Sequence, residues 1–487
     1  MNSKPNVAIV VLDTARASDV LSSMPTVMPT LSEIGAAGTT YQNAFTTAPW
    51  TLPSHGSLFT GSYPSKHGAH GNNMYLSEGN HTLAEAFSEA GYETLAVSNN
   101  TWVTEEFGFD SGFDEFWKGW QYYQSETDLG VIAHELGTMA KARAAVGQLF
   151  EGNPVINAAN LCYSELIQPR TDDGAARTTD RIESWLADSR EDKPFFLFAN
   201  YLEPHIEYRP PKEHAERFLP EDADYDEARS VQQSPCAYNV GKYELSEREH
   251  RLLRALYCGE LSYVDDALDR LRTALQAEGE WENTVLVVLG DHGENIGEHG
   301  FLGHQYNIYD TLLHVPLVVH GGAFNYRASK SDQLVQLLDI VPTLLDETGI
   351  EARALREQSQ GLSFHPEANG RRKHAISEYI SPQPPVETLH ARFGDLPKYA
   401  YDYDRTLRAI RDDEYKLIVG SDGLVKLFHV ASDPAERNDC SASEPERTEK
   451  LERELAEWLD SFDHATSDSE TEVSGATKER LADLGYM

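Results

Sequence analysis

The strongest constraint on the fold comes from a run of six apolar residues close to the start of the chain, Val7–Leu12. A strand that is apolar at every position is typical of a parallel sheet covered on both faces. Segments of strand and helix character alternate after it. The predicted strands are Tyr92–Val97, Phe195–Tyr201, Asn283–Leu289 and Val315–His320, and the predicted helices are Thr82–Ala90, Thr178–Asp188, Leu252–Ala277 and Leu334–Thr348. This alternation predicts one large α/β domain with a mainly parallel sheet over residues 1–365.

The pattern changes after residue 365, where the proline-rich stretch Ser381–Pro385 interrupts the alternation. We predict a small C-terminal α+β subdomain over residues 366–465, built on an antiparallel sheet. Its predicted elements are the strands Leu407–Arg411, Tyr415–Gly420 and Val425–Val430 and the helix Glu446–Phe462. Residues 466–487 are polar and acidic, and we expect them to form a loose tail.

The charge of the chain excludes one class of partner. Its 487 residues include 79 acidic and 41 basic ones, which gives a net charge of −38. Such a surface repels phosphate, so we expect no nucleic-acid partner. An acidic surface that is poor in lysine is typical of a protein that works in concentrated salt, where the charges are screened. We therefore interpret the chain as halophilic, with an ordinary acidic enzyme as the alternative.

Location is predicted from what the sequence does not contain. We find neither a signal peptide nor an apolar stretch long enough to span a membrane. The cysteines are widely spaced and form no Cys-x-x-Cys motif, which favours reduced thiols. They are Cys162, Cys236, Cys258 and Cys440. These features predict a cytoplasmic protein.

Three short polar segments lie where the predicted strands and turns end. Asp13 follows the first strand, Thr51 begins a proline-punctuated turn, and the pair Asp291 and His292 follows a later strand. An Asp at the tip of a buried strand is costly unless it is paired or bound to a metal. Two such Asp residues, a His and a hydroxyl form a plausible site for a divalent cation. A role as a helix cap is the alternative for each Asp.

In their order, these segments resemble the sulfatases of the alkaline phosphatase superfamily. The resemblance extends from Asn6 to about Ser441. Its blocks include Val11-Leu-Asp-Thr-Ala-Arg16, Thr51-Leu-Pro-Ser-His55, Phe59-Thr-Gly-Ser-Tyr-Pro-Ser-Lys-His-Gly68, Tyr201-Leu-Glu-Pro-His205, Asp291-His-Gly-Glu-Asn-Ile-Gly-Glu-His-Gly300 and Leu427-Phe-His-Val-Ala-Ser-Asp-Pro434. The resemblance implies a large mixed sheet flanked by helices, a small C-terminal antiparallel sheet, and hydrolysis of an anionic ester.

The resemblance also implies roles for individual residues. A divalent ion, Ca²⁺, Mn²⁺ or Zn²⁺, would be held by Asp13, Thr51, Asp291 and His292, with Thr51 as the nucleophile. Two histidines would contact the anion or protonate the leaving group, namely His205 and His304. The candidates for substrate binding are Arg16, His55, Asn99, Asn100 and His299.

Several positions depart from the family pattern. Thr51 occupies the position at which sulfatases convert Cys or Ser to formylglycine, and the methyl group on its β-carbon prevents that conversion. His55 replaces an Arg, Thr14 replaces an Asp, and Ser98–Thr101 replaces a segment that contains a Lys. Formylglycine is therefore not expected, and the chain resembles the branches of the superfamily in which a metal-bound Thr attacks phosphorus.

These departures leave several functions open. We expect a metal-dependent hydrolase of a sulfate or phosphate ester on a small molecule or glycan. One alternative is a phosphodiesterase, a phosphonate hydrolase or a phospho-head-group transferase, and another is a catalytically silent sulfatase-like binding protein. Structural alternatives also remain, in which Thr51 caps a helix, Arg16 pairs with a carboxylate and His299 faces solvent from a loop. The sequence does not indicate an oligomeric state.

Overall fold

The computed structural model describes residues 4–77, 79–121, 172–188, 193–325, 330–465 and Thr477. The strands are β1 Asn6–Leu12, β2 Thr39–Phe45, β3 Glu93–Ser98, β4 Glu115–Lys118, β5 Phe195–Tyr201, β6 Thr284–Gly290, β7 Asn295–Ile296, β8 Leu302–Gly303, β9 Leu317–His320, β10 Lys330–Gln336, β11 Ala375–Tyr379, β12 Leu407–Arg411, β13 Lys416–Gly420 and β14 Val425–Phe428. The predicted tail, apart from Thr477, and Cys162 lie outside the described residues.

The α-helices are α1 Ala17–Val27, α2 Pro29–Ala37, α3 Thr51–Thr60, α4 Pro64–His67, α5 Leu83–Glu89, α6 Ala175–Ala187, α7 Lys212–Ala215, α8 Tyr225–Arg229, α9 Pro235–Asn239, α10 Glu247–Ala277, α11 Asp310–Leu313, α12 Ile340–Thr348, α13 Arg353–Gln358, α14 Val386–Phe393 and α15 Pro445–Leu459. Short 3₁₀ helices lie at Glu105–Phe107, Trp281–Asn283, Glu298–Gly300, Gly322–Phe324, Leu337–Asp339 and Lys398–Tyr403. Within the described part of the chain, no helix combines the length and the apolar character that a membrane span requires.

Eight of the described strands form the main sheet, in the order β10-β2-β9-β6-β1-β5-β3-β4. β9 runs antiparallel to both neighbours and all other pairs are parallel, so the prediction of a large, mainly parallel mixed sheet is confirmed. The registers place Leu12 beside both Tyr201 and Gly290, and Ser98 beside Asn200. The carboxyl ends of β1, β3, β5 and β6 therefore meet at one edge, where such sheets bind ligands.

The apolar run of β1 is explained by helices on both faces of the sheet. Its odd-numbered residues, such as Ile9, lie in a core with residues of α3, α5 and α12, and its even-numbered residues, such as Val10, lie in a second core with residues of α1, α2, α6 and α10. α10 begins at a capping box in which Ser246 and Glu249 bond each other's backbone N–H, and its apolar side chains face the sheet. Every residue of β1 is buried, and the two-fold period of a strand sends alternate side chains into the two cores.

The second described sheet is antiparallel, in the order β11-β12-β13-β14. The three predicted strands are present, and β11 is an addition. Leu451 and Leu455 of α15 pack against Leu417 of β13 in a small core. The Gln336 side chain bonds both the N–H and the carbonyl of Ile376, so contacts cross the predicted boundary at residue 365, and that boundary stays a prediction.

One predicted helix is partly wrong. The segment Leu334–Thr348 was expected to be helical throughout, but Leu334–Gln336 belongs to the edge strand β10 and α12 begins only at Ile340. Leu334 and Val335 pair with β2, so tertiary pairing outweighs the local periodicity. Val315 and Pro316 also precede β9, which starts at Leu317.

A buried ion cluster joins the second sheet to the main domain. Nζ of Lys416 lies 2.7 Å from Asp310 Oδ1 and 2.7 Å from Glu436 Oε1, and Arg411 lies 3.3 Å from the other oxygen of Asp310. The side chains of Lys416 and Glu436 are 1% exposed. Burial raises the pKa of Glu436 to about 7, against the opposing effect of Lys416. The pKa of Asp310 lies below its usual value because Lys416 and Arg411 outweigh the effect of burial.

Candidate active site

The carboxyl edge of the main sheet carries the polar residues singled out from the sequence. Asp13 directly follows β1, Asp291 and His292 follow β6, and Asn100 lies two residues after β3. Thr51 is the first residue of α3, so this helix also starts in the same region. Parallel strands bring these segments together although they are far apart in the sequence.

Asp13, Asp291 and His292 form a compact group that is fully buried. Each offers one ligand atom, and these atoms all lie within 4.8 Å of one another. His292 Nε2 is 3.8 Å from Asp13 Oδ1 and 3.5 Å from Asp291 Oδ2. His292 Nδ1 donates to the carbonyl of Gly293 at 3.0 Å, so Nε2 presents its lone pair to the two carboxylates.

Thr51 lies against this group. Its Oγ1 is 3.3 Å from His292 Nε2 and accepts a hydrogen bond from Asn100 Nδ2 at 3.2 Å. The same amide donates to Asp13 Oδ2 at 2.6 Å, and the backbone N–H of Trp102 fixes its orientation through Oδ1. The N-cap of α3 is Trp50 rather than Thr51. These contacts argue against the alternative that Thr51 only caps a helix.

These residues fit a divalent cation. Asp13 Oδ1 and Asp291 Oδ2 are buried and have no hydrogen-bond partner among the described residues. Burial, with the charge of Asp291 next, raises the pKa of Asp13 well above its ordinary value, and burial raises the pKa of Asp291 to about 7. Burial lowers the pKa of His292, so its imidazole is neutral. Two carboxylates, a neutral imidazole nitrogen and the Thr51 hydroxyl are suitable donors for such an ion.

We expect the substitution Asp13→Asn to stabilise the metal-free protein. Because the folded-state pKa of Asp13 is raised, this carboxyl contributes stability at low pH that is lost as the pH rises through the raised value. Asn removes the charge and keeps an oxygen for Asn100. We expect a gain of about 1–2 kcal/mol at pH 8 in the presence of a chelator. Thermal unfolding of the wild type and of Asp13→Asn, each with and without Ca²⁺, Mn²⁺ and Zn²⁺, measures these effects. A wild-type Tm that none of these ions raises would contradict the assignment of a metal site.

Three histidines lie side by side next to the carboxylates. The ring centroid of His304 is 4.6 Å from that of His292 and 5.2 Å from that of His205. Glu294 connects the segments that carry His304 and His205. Its Oε1 is 2.9 Å from His304 Nδ1, and its Oε2 accepts a hydrogen bond at 3.3 Å from the backbone N–H of Ile206, the residue after His205. Burial, with the charge of His304 next, lowers the pKa of His205 to about 4, so His205 is neutral at pH 7.

His55 and Arg16 are engaged by the protein itself. His55 Nδ1 donates to the carbonyl of Thr51 at 2.9 Å and lies 3.5 Å from Asp291 Oδ2, and burial lowers its pKa to about 4. The guanidinium of Arg16 pairs with Asp19 at 2.7 Å and with Glu298 at 3.0 Å. These contacts favour the alternative in which Arg16 pairs with carboxylates of the protein. They place His55 where it supports the start of α3 and Asp291. Substrate contact by either residue stays a prediction.

Two further residues predicted to bind substrate, Asn99 and His299, contact residues outside the group around Thr51. Asn99 Nδ2 donates to Thr178 Oγ1 at 2.8 Å, which directs the amide toward α6. His299 stacks on Tyr309 with 3.6 Å between ring centroids and an angle of 9° between the planes. The structure therefore brings Asn100 to Thr51, whereas substrate contact by Asn99 and His299 stays a prediction.

Two residues of this region, Glu294 and Asn200, were not predicted from the sequence. Glu294 lies inside the recognised block Asp291–Gly300, but no role was assigned to it. Asn200 is fully buried at the end of β5, and its amide helps to lower the pKa of Asp13, although burial dominates. The available signal was the same one that identified Asp13, namely a polar side chain at the end of an apolar strand.

Comparisons with known proteins cover almost the whole chain. The family model described as Sulfatase matches residues 5–350, and the model described as N-sulphoglucosamine sulphohydrolase, C-terminal, matches residues 297–464. Arylsulfatase K of Bos taurus is 24% identical over 478 residues, which cover 93% of this chain and 81% of that protein.

Two solved structures have a similar fold. The phosphonate monoester hydrolase of Agrobacterium radiobacter aligns with a TM-score of 0.64 and 19% identity, over 93% of this chain and 94% of the other. The protein BT4656, in complex with its substrate D-glucosamine-2-N,6-O-disulfate, aligns with a TM-score of 0.65 and 17% identity, over 94% of this chain and 99% of the other.

Proposed function

The chain belongs to the sulfatase family of the alkaline phosphatase superfamily and is an ester-hydrolysing enzyme, and from this premise we propose that Thr51 is its nucleophile. The proposed reaction is the metal-dependent hydrolysis of a sulfate ester, or of a phosphorus ester that carries the same single negative charge. One observation carries the proposal, namely the 3.3 Å distance between Thr51 Oγ1 and His292 Nε2 inside the buried group of Asp13 and Asp291.

In the proposed reaction, Thr51 loses its hydroxyl proton to solvent and its Oγ1 attacks the sulfur or phosphorus atom. The bond to the leaving-group oxygen breaks, and the acid group is left esterified to Thr51. Water then attacks this ester, which releases sulfate or the phosphorus acid of the substrate and restores the hydroxyl. A divalent ion held by Asp13, Asp291 and His292 would lower the pKa of the hydroxyl and offset the charge on the non-bridging oxygens. Asn100 already donates to Thr51 Oγ1 and would orient it.

His304 is the proposed donor of the proton that the leaving group needs. Its Nδ1–H points at Glu294, which sets the tautomer and directs Nε2 away from that carboxylate. His205 is less suited to donate a proton, because its pKa is lowered to about 4. His205 would instead help to position the substrate.

The charge of the site favours esters with one negative charge. Asp13, Asp291 and Glu294 supply three carboxylates to the group. With one divalent cation and the protonated His304 of the proposed mechanism the group is about neutral, so it has no excess positive charge to offset the second negative charge of a phosphate monoester. Sulfate esters and phosphonate monoesters fit this balance. The similar fold of the phosphonate monoester hydrolase supports phosphonate monoesters as substrates, and the disulfated sugar bound by BT4656 supports sulfate esters. If the substrate is a glycan, we propose a sulfated sugar.

The deciding experiment compares hydrolysis of an aryl sulfate, an aryl phosphonate monoester, an aryl phosphodiester and an aryl phosphate monoester. Each is assayed in the presence of Ca²⁺, Mn²⁺ or Zn²⁺ and after chelation. We expect the singly charged esters to be hydrolysed only with a metal, and the phosphate monoester poorly. Hydrolysis of none of them would support the alternative of a silent binding protein, and chelator-resistant activity would overturn the role of the cation.

We expect Glu294→Gln to lower kcat by about 10–100-fold, with a smaller change in KM, because His304 loses the charged partner that orients it. The chain offers a matched control in Glu347, which makes a similar 3.0 Å contact with His365. Glu347→Gln should leave kcat unchanged. Steady-state kinetics on the best aryl ester compares the two variants, and equal kcat values would contradict the role of Glu294.

We also propose that the chain works in concentrated salt in a cytoplasm, on the basis of its charge of −38. Activity and resistance to unfolding should both increase as KCl is raised into the molar range, because salt screens the repulsion between carboxylates. Activity assays and thermal unfolding in a KCl series measure this. Full activity and stability in dilute buffer would contradict the proposal that the acidic composition is an adaptation to concentrated salt.

A further inference from the structure

A cavity of about 380 Å³ lies between the loop after His292 and the C-terminal sheet. Its walls include His299 and Tyr309 from the loop, Lys426 and Phe428 from β14, and Arg437 from the segment beyond it. None of these residues belongs to the group around Thr51. The volume is within the range of pockets that bind small molecules.

The charges around this cavity are unusual for so acidic a chain. Lys426 and Arg437 form no salt bridge with any described residue, although 79 acidic residues are present in the sequence. Glu298 and Glu436, which also line the cavity, are already paired, with Arg16 and Arg254 in one case and with Lys416 in the other. The third carboxylate of the lining, Asp439, accepts hydrogen bonds from the backbone N–H groups of Leu427 and Ser441 and interacts with the charge of Lys426. The cavity thus has two cations in its lining, of which Lys426 shares its charge with Asp439 and Arg437 is available to a ligand.

Aromatic rings form one wall. The rings of His299 and Tyr309 are stacked in parallel, and Phe428 meets Tyr309 edge-on at 6.0 Å. Lys426 Nζ donates to the Tyr309 hydroxyl at 3.1 Å and lies over the same ring. Burial, together with the charges of Lys416, Lys426 and Arg437, lowers the pKa of His299 to about 4, so the wall is neutral and the positive charge stays on the Lys and Arg side chains.

We propose that this cavity binds the ring of an acidic sugar, with the carboxylate or sulfate of that sugar held by Lys426 and Arg437. The stacked rings offer a flat apolar surface to the face of a sugar ring. Thr311 and Asp439, also in the lining, provide polar atoms for its hydroxyl groups. The chemistry of this site differs from that around Thr51, which relies on carboxylates and imidazoles. The proposal does not depend on hydrolysis by Thr51.

Isothermal titration calorimetry with D-glucuronate tests the proposal, since this acid contains no ester to hydrolyse. The titration is run at the lowest KCl concentration that keeps the protein folded, because salt weakens binding of an anion. We expect saturable binding of D-glucuronate and at least a tenfold weaker binding of the neutral sugar D-glucose. The double variant Lys426→Met/Arg437→Met should raise the Kd for D-glucuronate at least tenfold.

Two controls keep the test specific. Lys450→Met/Arg453→Met removes two exposed charges from α15 in the same part of the chain and should leave the Kd unchanged. Asp13→Asn, which alters the candidate metal site, should also leave it unchanged. The proposal is overturned if D-glucuronate does not bind, if D-glucose binds equally well, or if the Lys426 and Arg437 variant binds like the wild type. A Kd that changes with Asp13→Asn would assign the binding to the Thr51 site and overturn it too.

Discussion

Replacing Thr51 by Val is expected to lower kcat by about 10⁴-fold or more. Val has nearly the shape of Thr but carries a methyl group in place of the hydroxyl, so the attacking atom is lost while packing at the start of α3 is kept. The loss should appear in kcat rather than in KM, because the proposed ester bond to Thr51 forms only after the substrate is bound. Steady-state kinetics on the best aryl ester measures both constants.

Thr51→Ser is the matched control, since it restores a hydroxyl at the same position and should retain much of the activity that Val loses. Both variants should keep the Tm of the metal-free wild type within a few degrees. Acid quenching of the wild type during turnover, followed by peptide mass spectrometry, should find the acid group of the substrate esterified to Thr51. Activity of Thr51→Val within tenfold of the wild type would exclude Thr51 as the nucleophile.

The sequence was informative wherever one local signal sufficed. The all-apolar residues of β1 could be recognised because a strand covered on both faces has no polar position. Asp13 and Asp291 could be placed at one edge because both follow such strands and parallel strands share a direction. The edge strand β10 and its neighbour β2, which lies between β10 and β9, were missed because pairing between strands rather than local composition decides their structure.

In the candidate site, too, some residues could be placed from the sequence and others could not. Asp13, Thr51, Asp291 and His292 meet as expected, because their positions are set by the ends of regular elements. Residues on the long loop after β6 could not be placed from the sequence. His299 and His304 are five residues apart on that loop, yet one stacks on Tyr309 and the other lies against His205 and His292. An irregular backbone has no fixed period, so spacing does not indicate which face a side chain occupies.

Lys416→Met is expected to lower the free energy of unfolding by about 3–5 kcal/mol, which is the usual cost of removing one partner of a buried ion pair. Met matches the length of the Lys stem but leaves Glu436 buried without a cation and leaves Asp310 with Arg411 alone. Burial raises the pKa of Glu436 to about 7 although Lys416 opposes this effect, so the pKa is higher still without Lys416. At low pH the Glu436 carboxyl is protonated in both proteins, and no unpaired charge is left. The loss should therefore be smaller at low pH and should increase as the pH rises through 7.

Urea unfolding at pH 5.5 and pH 8, followed by circular dichroism at constant KCl, measures this dependence. Lys450→Met is the control, since Lys450 is about half exposed in its pair with Glu454, and it should change the free energy by no more than about 0.5 kcal/mol at either pH. The double variant Lys416→Met/Glu436→Gln should have a higher free energy of unfolding at pH 8 than Lys416→Met alone, because Glu436→Gln removes the carboxylate that Lys416→Met leaves buried without a cation. A loss for Lys416→Met that is equal at both pH values would indicate that packing, rather than the buried charge of Glu436, holds the second sheet to the main domain.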